Sequence, residues 1–323
     1  MTLGQQRFEY YLLQLEELLL AASKTNNAAL YLYKNDGRTK VFMLEGLAKL
    51  YAGLQNEKKF LKIKARLKLV EDALGTIDYY DCFSNQFKTN KKIPIEIKNW
   101  LAKKVVEKQV ELNAVLISGK WINHDPLRTI KIRKKLSKMK WQSPETEIKA
   151  MKIFYENAIQ TIIKFYGEVG NPFADIEIHV HEIRRKLRWL SIYPKALQGA
   201  IQLVDNKVID KNVKKYLTQE IVKSPYNIMP KVGANSVTLK LEKNYFLALS
   251  NIIQSLGTLK DSGLKIMVLV EAIKATRKVT DATAIKNALS LSSNKQDALK
   301  KIIEDASALC KVYFEEGNLK KLL

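Results

Sequence analysis

A chain of 323 residues, 46% of them hydrophobic and with only 13 glycines and 7 prolines, can bury a sizeable core but is too poor in turn formers for a sheet-rich sandwich or barrel. Lysine and arginine outnumber the acids 55 to 33, a net charge of +22, which draws polyanions and is silent about fold. Two cysteines, Cys82 and Cys310, exclude a disulfide framework, and no apolar run approaches a membrane span.

The N-terminus "MTLGQQRFEYYLLQLEELLLAASK" has neither a basic leader nor a small-residue cleavage site, so a reduced, cytoplasmic protein is expected. Glu9, Glu16 and Glu17 interrupt its apolar residues at helical spacing, which predicts a first amphipathic helix. Further helices are predicted over 40–54, 58–83, 94–118, 126–140, 144–168, 175–202, 207–222, 242–257, 261–275, 281–291 and 295–316. Turn chemistry separates them at "KNDGRT" (34–39), "YGEVGNPF" (166–173) and "SPYNIMPKVGANS" (224–236). No β-rich block of useful length is present, although "IPIEI" (93–97) could pass for a short strand. An all-α protein follows, either a bundle or a solenoid. "ALGTID" (73–78) and "SLGTLKD" (255–261) echo one another, as chance or as a sign of duplication.

The segment "DIEIHVHEIRRKLRWL" (175–190) admits two readings. As a strand, Asp175, Glu177, His179 and His181 share a face, and a His-x-His pair there can ligate zinc. That alternation stops at Glu182. As a helix, Ile176, Val180, Ile183, Leu187 and Leu190 form an unbroken seam through the whole segment, with Asn171-Pro172 to start it. The helix accounts for more of the segment. The metal reading also finds only His124 as a further histidine, where a catalytic zinc normally takes three protein ligands.

On a helix, His181, Arg184, Arg185 and Arg188 fall within about a third of the circumference, opposite the seam. Guanidinium groups fixed on one face suit phosphate oxygens, because arginine offers a planar fork of donors. A histidine beside them donates while neutral and becomes cationic when protonated. A solvated basic face, with Glu177 as partner, is the plainer alternative.

"HEIRRKLRWLSIY" (181–193) resembles the signature helix of the CHAD family, the conserved-histidine α-helical domain. His181, Ile183, Arg184, Leu187, Arg188 and Leu190 fill its places. Leu256, Gly257 and Asp261 approximate the Leu-Gly and acid of the family's following helix, as Leu74, Gly75 and Asp78 do in the first half. The first-half signature is degraded. Its best match is 42–54, with Phe42 in the histidine place, Glu45 in that of the first arginine and Lys49 in that of the second. The resemblance implies two antiparallel helical bundles related by internal duplication, 1–141 and 142–323, which together make one CHAD-like domain. It implies binding of inorganic polyphosphate or a related polyanion in a basic helix-lined groove. It carries no catalysis, cofactor, metal or membrane role. Lys49, Lys62, Arg66 and Lys195 are weaker extensions of a nucleus made of His181, Arg184, Arg185 and Arg188.

Two other segments are basic. "KKFLKIKARLKL" (58–69) sets Lys59, Lys62 and Arg66 on one helix face, and "LRTIKIRKKLSKMK" (127–140) sets Arg128, Lys131, Lys135 and Lys138 in one stripe. Either is a solvated face or an extension of a polyanion track. Three rival functions stay open: a helical nucleic-acid binder, a metal-dependent phosphohydrolase using His179 and His181, and a structural module whose charge serves solubility alone.

Overall fold

The computed structural model describes residues 1–125, 127–205, 210–233, 236–292 and 298–323. The starts of the helices expected at 126, 207 and 295, and part of the 224–236 break, lie outside the described residues. The chain divides into two units. One is Met1–Ser143 with Val268–Ala284, the other Pro144–Met267 with Ile285–Leu323. The return of 268–284 to the first unit has no counterpart in a simple cut between 141 and 142.

The first unit contains α1 (Leu3–Ala22), α2 (Ala28–Lys34), α3 (Gly37–Leu54), α4 (Glu57–Lys88), α5 (Ile95–Ser118) and α6 (Arg128–Leu136). The Thr2 amide donates to Gln5 Oε1 at 3.0 Å to start α1, and Asn27 Oδ1 accepts from the Leu30 amide at 3.1 Å to start α2. Helix α2, two turns long, lies in a stretch to which the sequence reading assigned no element. In α4, Phe60, Ile63, Leu67, Val70, Leu74, Ile77, Tyr80 and Phe87 recur along one stripe and are all buried, packed between α3 and α5. Tyr51 meets Trp141 edge-on at 5.3 Å and Phe8 stacks on Phe60 at 5.7 Å, contacts that contribute about 1 kcal/mol each beyond area burial. Arg133 ties α6 to α1: its Nε donates to Glu9 at 2.9 Å and its Nη1 to Glu16 at 3.1 Å.

The second unit contains α7 (Pro144–Val169), a π-helix (Ile176–His181) that runs into α8 (Glu182–Ala196), β1 (Ile201–Val204), α9 (Gln219–Lys223), β2 (Leu239–Glu242), most of α10 (Lys243–Thr276), the end of α11 (Asp281–Leu291), and α12 (Ala298–Glu315). Strands β1 and β2 pair in parallel, Ile201 opposite Leu239 and Val204 opposite Glu242. The protein is thus mostly helical, as expected, with a minor two-stranded parallel sheet that the helical reading did not include. The helix expected to reach 202 stops at 196, because Gln198 (φ 50) and Gly199 (φ 94) take left-handed backbone and turn the chain out. The β-branched and aliphatic residues after the turn then form β1. The break expected near 258–260 does not occur. Helix α10 runs through Gly257 without interruption.

Candidate anion-binding site

The segment 175–190 is helical, as its seam requires: Ile176, Val180, Ile183, Leu187 and Leu190 are all buried. Truncation of Leu187 to alanine would cost about 2–5 kcal/mol. Its start is set by Asp175, whose carboxylate accepts the amides of Glu177 at 2.7 Å and Ile178 at 2.8 Å, and not by Asn171-Pro172. The wider π turn comes first, a feature frequent at functional sites. His179 and His181 therefore do not share a strand face. His179 Nδ1 accepts the Ala174 amide at 3.0 Å, and His181 Nδ1 lies 2.8 Å from the Glu177 carboxylate. The contact with His181 holds the Glu177 carboxyl below its ordinary range, and Lys260 of α10 adds to the effect. Among the described residues, no group of three or more His, Cys, Asp or Glu side chains is placed to hold a metal ion.

Arg184 leans onto α10. Its Nε donates to the Ile253 carbonyl at 3.0 Å, and its guanidinium lies over Gly257, where a Cβ would stand 3.1 Å from Nε and Nη2. Gly257 is needed for that close approach. Burial lowers the pKa of Arg184, and the one charge that opposes the shift is Asp261. Among the described residues its Nη groups make no hydrogen bond, so most of its five donors are not engaged. Arg185 and Arg188 are exposed, and Arg185 pairs with Glu182 at 2.7 Å. Lys195 is bound differently: its Nζ donates to the Pro225 carbonyl at 2.6 Å and lies over the Tyr226 ring. Lys260, half-buried beside Glu177 and paired with Asp261 at 2.9 Å, belongs to this surface and was missed by the sequence reading. Its signal was its place next to the acid of "LGTLKD".

The first unit holds a parallel contact. The Arg38 guanidinium lies over Gly75 of α4, a Cβ there falling 2.8 Å from Nη2. Arg38 Nε donates to Glu71 at 3.0 Å and its Nη1 to Asp78 at 2.6 Å. Glu71 precedes Gly75 by one turn, as Ile253 precedes Gly257. The residue over Gly75 is therefore Arg38 and not Glu45, which is buried at 3% exposure. Arg38, Val41 and Leu44 repeat the spacing of Arg184, Leu187 and Leu190, a signal present in "GRTKVFML" but masked by the loss of the histidine. Phe42 and Lys49 are half-buried on α3.

Lys62 and Arg66 also belong to the first unit, and they join a different group. Arg66 and Lys62 of α4 lie close enough to Arg128, Lys131 and Lys135 of α6 that their charges repel. Lys120 completes the cluster from a left-handed turn (φ 63) after α5, its carbonyl accepting the Arg128 amide at 2.9 Å. Burial first, and then these like charges, lower the pKa of Arg128, Lys131 and Lys135. The residues expected to bind anions thus fall into two separate sets: Lys49, Lys62 and Arg66 in the first unit, and His181, Arg184, Arg185, Arg188 and Lys195 in the second. No helix among the described residues is long and apolar enough to cross a membrane. Compared with protein-family models, with curated proteins and with solved structures, the chain matches none.

Proposed function

We propose that this protein binds a phosphate-rich polyanion, inorganic polyphosphate in the first place, on the α8 surface of its second unit. The observation that carries this reading is Arg184. It is a partly desolvated guanidinium with one donor on the Ile253 carbonyl and its Nη groups without a hydrogen bond among the described residues, flanked by His181 and by the exposed Arg185 and Arg188. A desolvated cation gains more from an anion than a solvated one, because the local dielectric is lower. The resemblance of 181–193 to the CHAD signature helix points the same way.

The parallel between Arg38 on Gly75 and Arg184 on Gly257 supports an internal duplication, read in the register of Arg38. In this reading the first copy no longer serves anions at that position. Glu71 and Asp78 take the donors of Arg38, whereas a backbone carbonyl takes only Nε of Arg184.

The test is a titration of the full chain with polyphosphate of defined lengths at two salt concentrations. Affinity should fall steeply with salt, by analogy with the roughly 10³–10⁵-fold loss for about 6–10 phosphate contacts on nucleic acid. Arg184→Gln with Arg188→Gln should weaken binding at least tenfold, since each charge-assisted contact contributes about 1.5–3 kcal/mol. Salt-insensitive binding, or wild-type affinity in this double variant, defeats the proposal. Displacement of polyphosphate by single-stranded nucleic acid at equal phosphate concentration would favour the nucleic-acid reading instead.

A further inference from the structure

Helix α1 has two apolar faces. Phe8, Tyr11, Leu12, Leu15, Leu19 and Ala22 are buried in the core of the first unit. Leu3, Tyr10, Leu13 and Leu20 lie on the opposite side and are 46% to 50% exposed. With Gln6 and Glu17, also exposed, they recur at steps of three and four from Leu3 to Leu20, within about 100° of the helix circumference. That is the a/d pattern of a coiled-coil seam, and the packing of α1 on α2, α3 and α6 leaves it uncovered.

The seam is symmetric about its centre. When a second α1 lies antiparallel with Leu3 opposite Leu20, Gln6 falls opposite Glu17 and Tyr10 opposite Leu13, and each pair occurs twice. A two-fold axis demands this reciprocity, since residue i meets j wherever j meets i. The polar positions match as well. One N–H of the Gln6 amide donates to the Met1 carbonyl at 3.1 Å, which leaves the other for the Glu17 carboxylate of the second copy. The exposed Val106, Val110 and Ile117 of α5 lack such symmetry: with Val106 opposite Ile117, Val110 falls opposite Asn113. The charge of α1 also differs from that of the chain. Within a +22 protein it carries Glu9, Glu16 and Glu17 against Arg7 alone. Arg7 is buried and donates to the Tyr51 hydroxyl at 2.6 Å, while Arg133 holds Glu9 and Glu16. The seam therefore contains no cation to repel a second copy.

We infer that the outer face of α1 docks a second copy of this chain, as an antiparallel helix pair with Leu3 against Leu20, Gln6 against Glu17 and Tyr10 against Leu13. Pairing removes the exposed apolar surface of Leu3, Tyr10, Leu13 and Leu20 from water on both copies. Tyr10 contributes a broad ring and keeps its hydroxyl for the wet rim. The seam is small beside the roughly 20–30 residues a side of a standard interface, so the pair forms reversibly and depends on concentration. Its acids disfavour an anionic lipid surface as the occupant. The inference does not rest on the reading of α8, with which it shares no residue.

The experiment is sedimentation velocity of the full chain over a concentration series reaching about 500 µM, at roughly 0.3 M salt, where repulsion between two +22 chains is screened. A monomer–dimer equilibrium is expected. Leu13→Lys sets unpaired charges beside the two-fold axis and should raise the dissociation constant at least about tenfold. Leu69→Lys, the same change at an exposed leucine of α4, should leave it within about twofold. Gln6→Lys reads the register. In the antiparallel pair it opposes a cation to Glu17 and should tighten the dimer about two- to fivefold, whereas in a parallel pair it sets two lysines against each other. These substitutions leave the inner face of α1 intact, and melting curves check that each variant folds. The inference is overturned if the wild-type chain is monomeric throughout, if Leu13→Lys and Leu69→Lys act alike, or if Gln6→Lys fails to tighten the dimer. A monomer that cosediments with phosphatidylserine vesicles, and loses them on Leu13→Lys, would give the face to lipid and overturn it equally.

Discussion

The guanidinium of Arg184 rests on the bare backbone of Gly257, and this contact joins α8 to α10 at the centre of the proposed binding surface. A side chain at 257 would compete with the arginine for the same space. Gly257→Ala gains up to about 1 kcal/mol of helix propensity while pushing the guanidinium back by a few tenths of an ångström. Melting temperature should hold or rise, and polyphosphate affinity should fall. Gly257→Leu should evict Arg184 and bind as weakly as Arg184→Gln. Wild-type affinity in Gly257→Leu would show that the seated arginine is not part of the surface.

Arg38 and Arg184 should separate stability from binding. Arg38→Gln leaves Glu71, 13% exposed, without its partner, at a cost of about 1–2 kcal/mol. It should lower the melting temperature and leave polyphosphate affinity unchanged. Arg184→Gln should do the reverse. If both change affinity equally, the carboxylates have not taken Arg38 out of use.

Arg133 is a structural cation despite its place in the basic stripe. Its Nε and Nη1 hold Glu9 and Glu16, all three side chains being at most 31% exposed. Arg133→Gln should cost about 2 kcal/mol in urea denaturation, because two partly buried acids lose their counter-charge. Lys134→Gln, at an exposed neighbour, should cost almost nothing. Equal effects would mean that the pairs with α1 are not formed.

Glu45 predicts a pH dependence. Burial, then Glu71, push its carboxyl up to about 7 from 4.5, Lys68 and Lys64 opposing and Asp72 adding. The folded state then holds a proton that the unfolded state has released between these values. Stability therefore falls as pH rises from about 4.5 to 7, by on the order of 3 kcal/mol if Glu45 acts alone. Glu45→Gln should flatten that part of the curve and raise stability at pH 8. Parallel curves for the two proteins between pH 4.5 and 7 would refute it.

The seam Ile176–Val180–Ile183–Leu187–Leu190 and the stripe along α4 were legible from spacing, because burial selects apolar residues at every turn. The helical class and the +22 charge were equally plain. Three features were not. Strand β1 needed its partner β2, more than thirty residues on, and pairing across such a distance leaves no local period to read. The matching of the motif from its histidine place pointed to Glu45, whereas the side chain that lies over Gly75 is Arg38, a contact with the next helix that no local pattern displays. Last, composition counts all cations alike. Folding gave Arg133 two acids and Arg38 two more, held Lys195 on a carbonyl, and brought Lys62, Arg66, Arg128, Lys131 and Lys135 near enough for their like charges to bear on one another. Charge is a sum over residues, whereas an anion site depends on which cations converge without a carboxylate between them, and convergence is settled by the packing of distant helices.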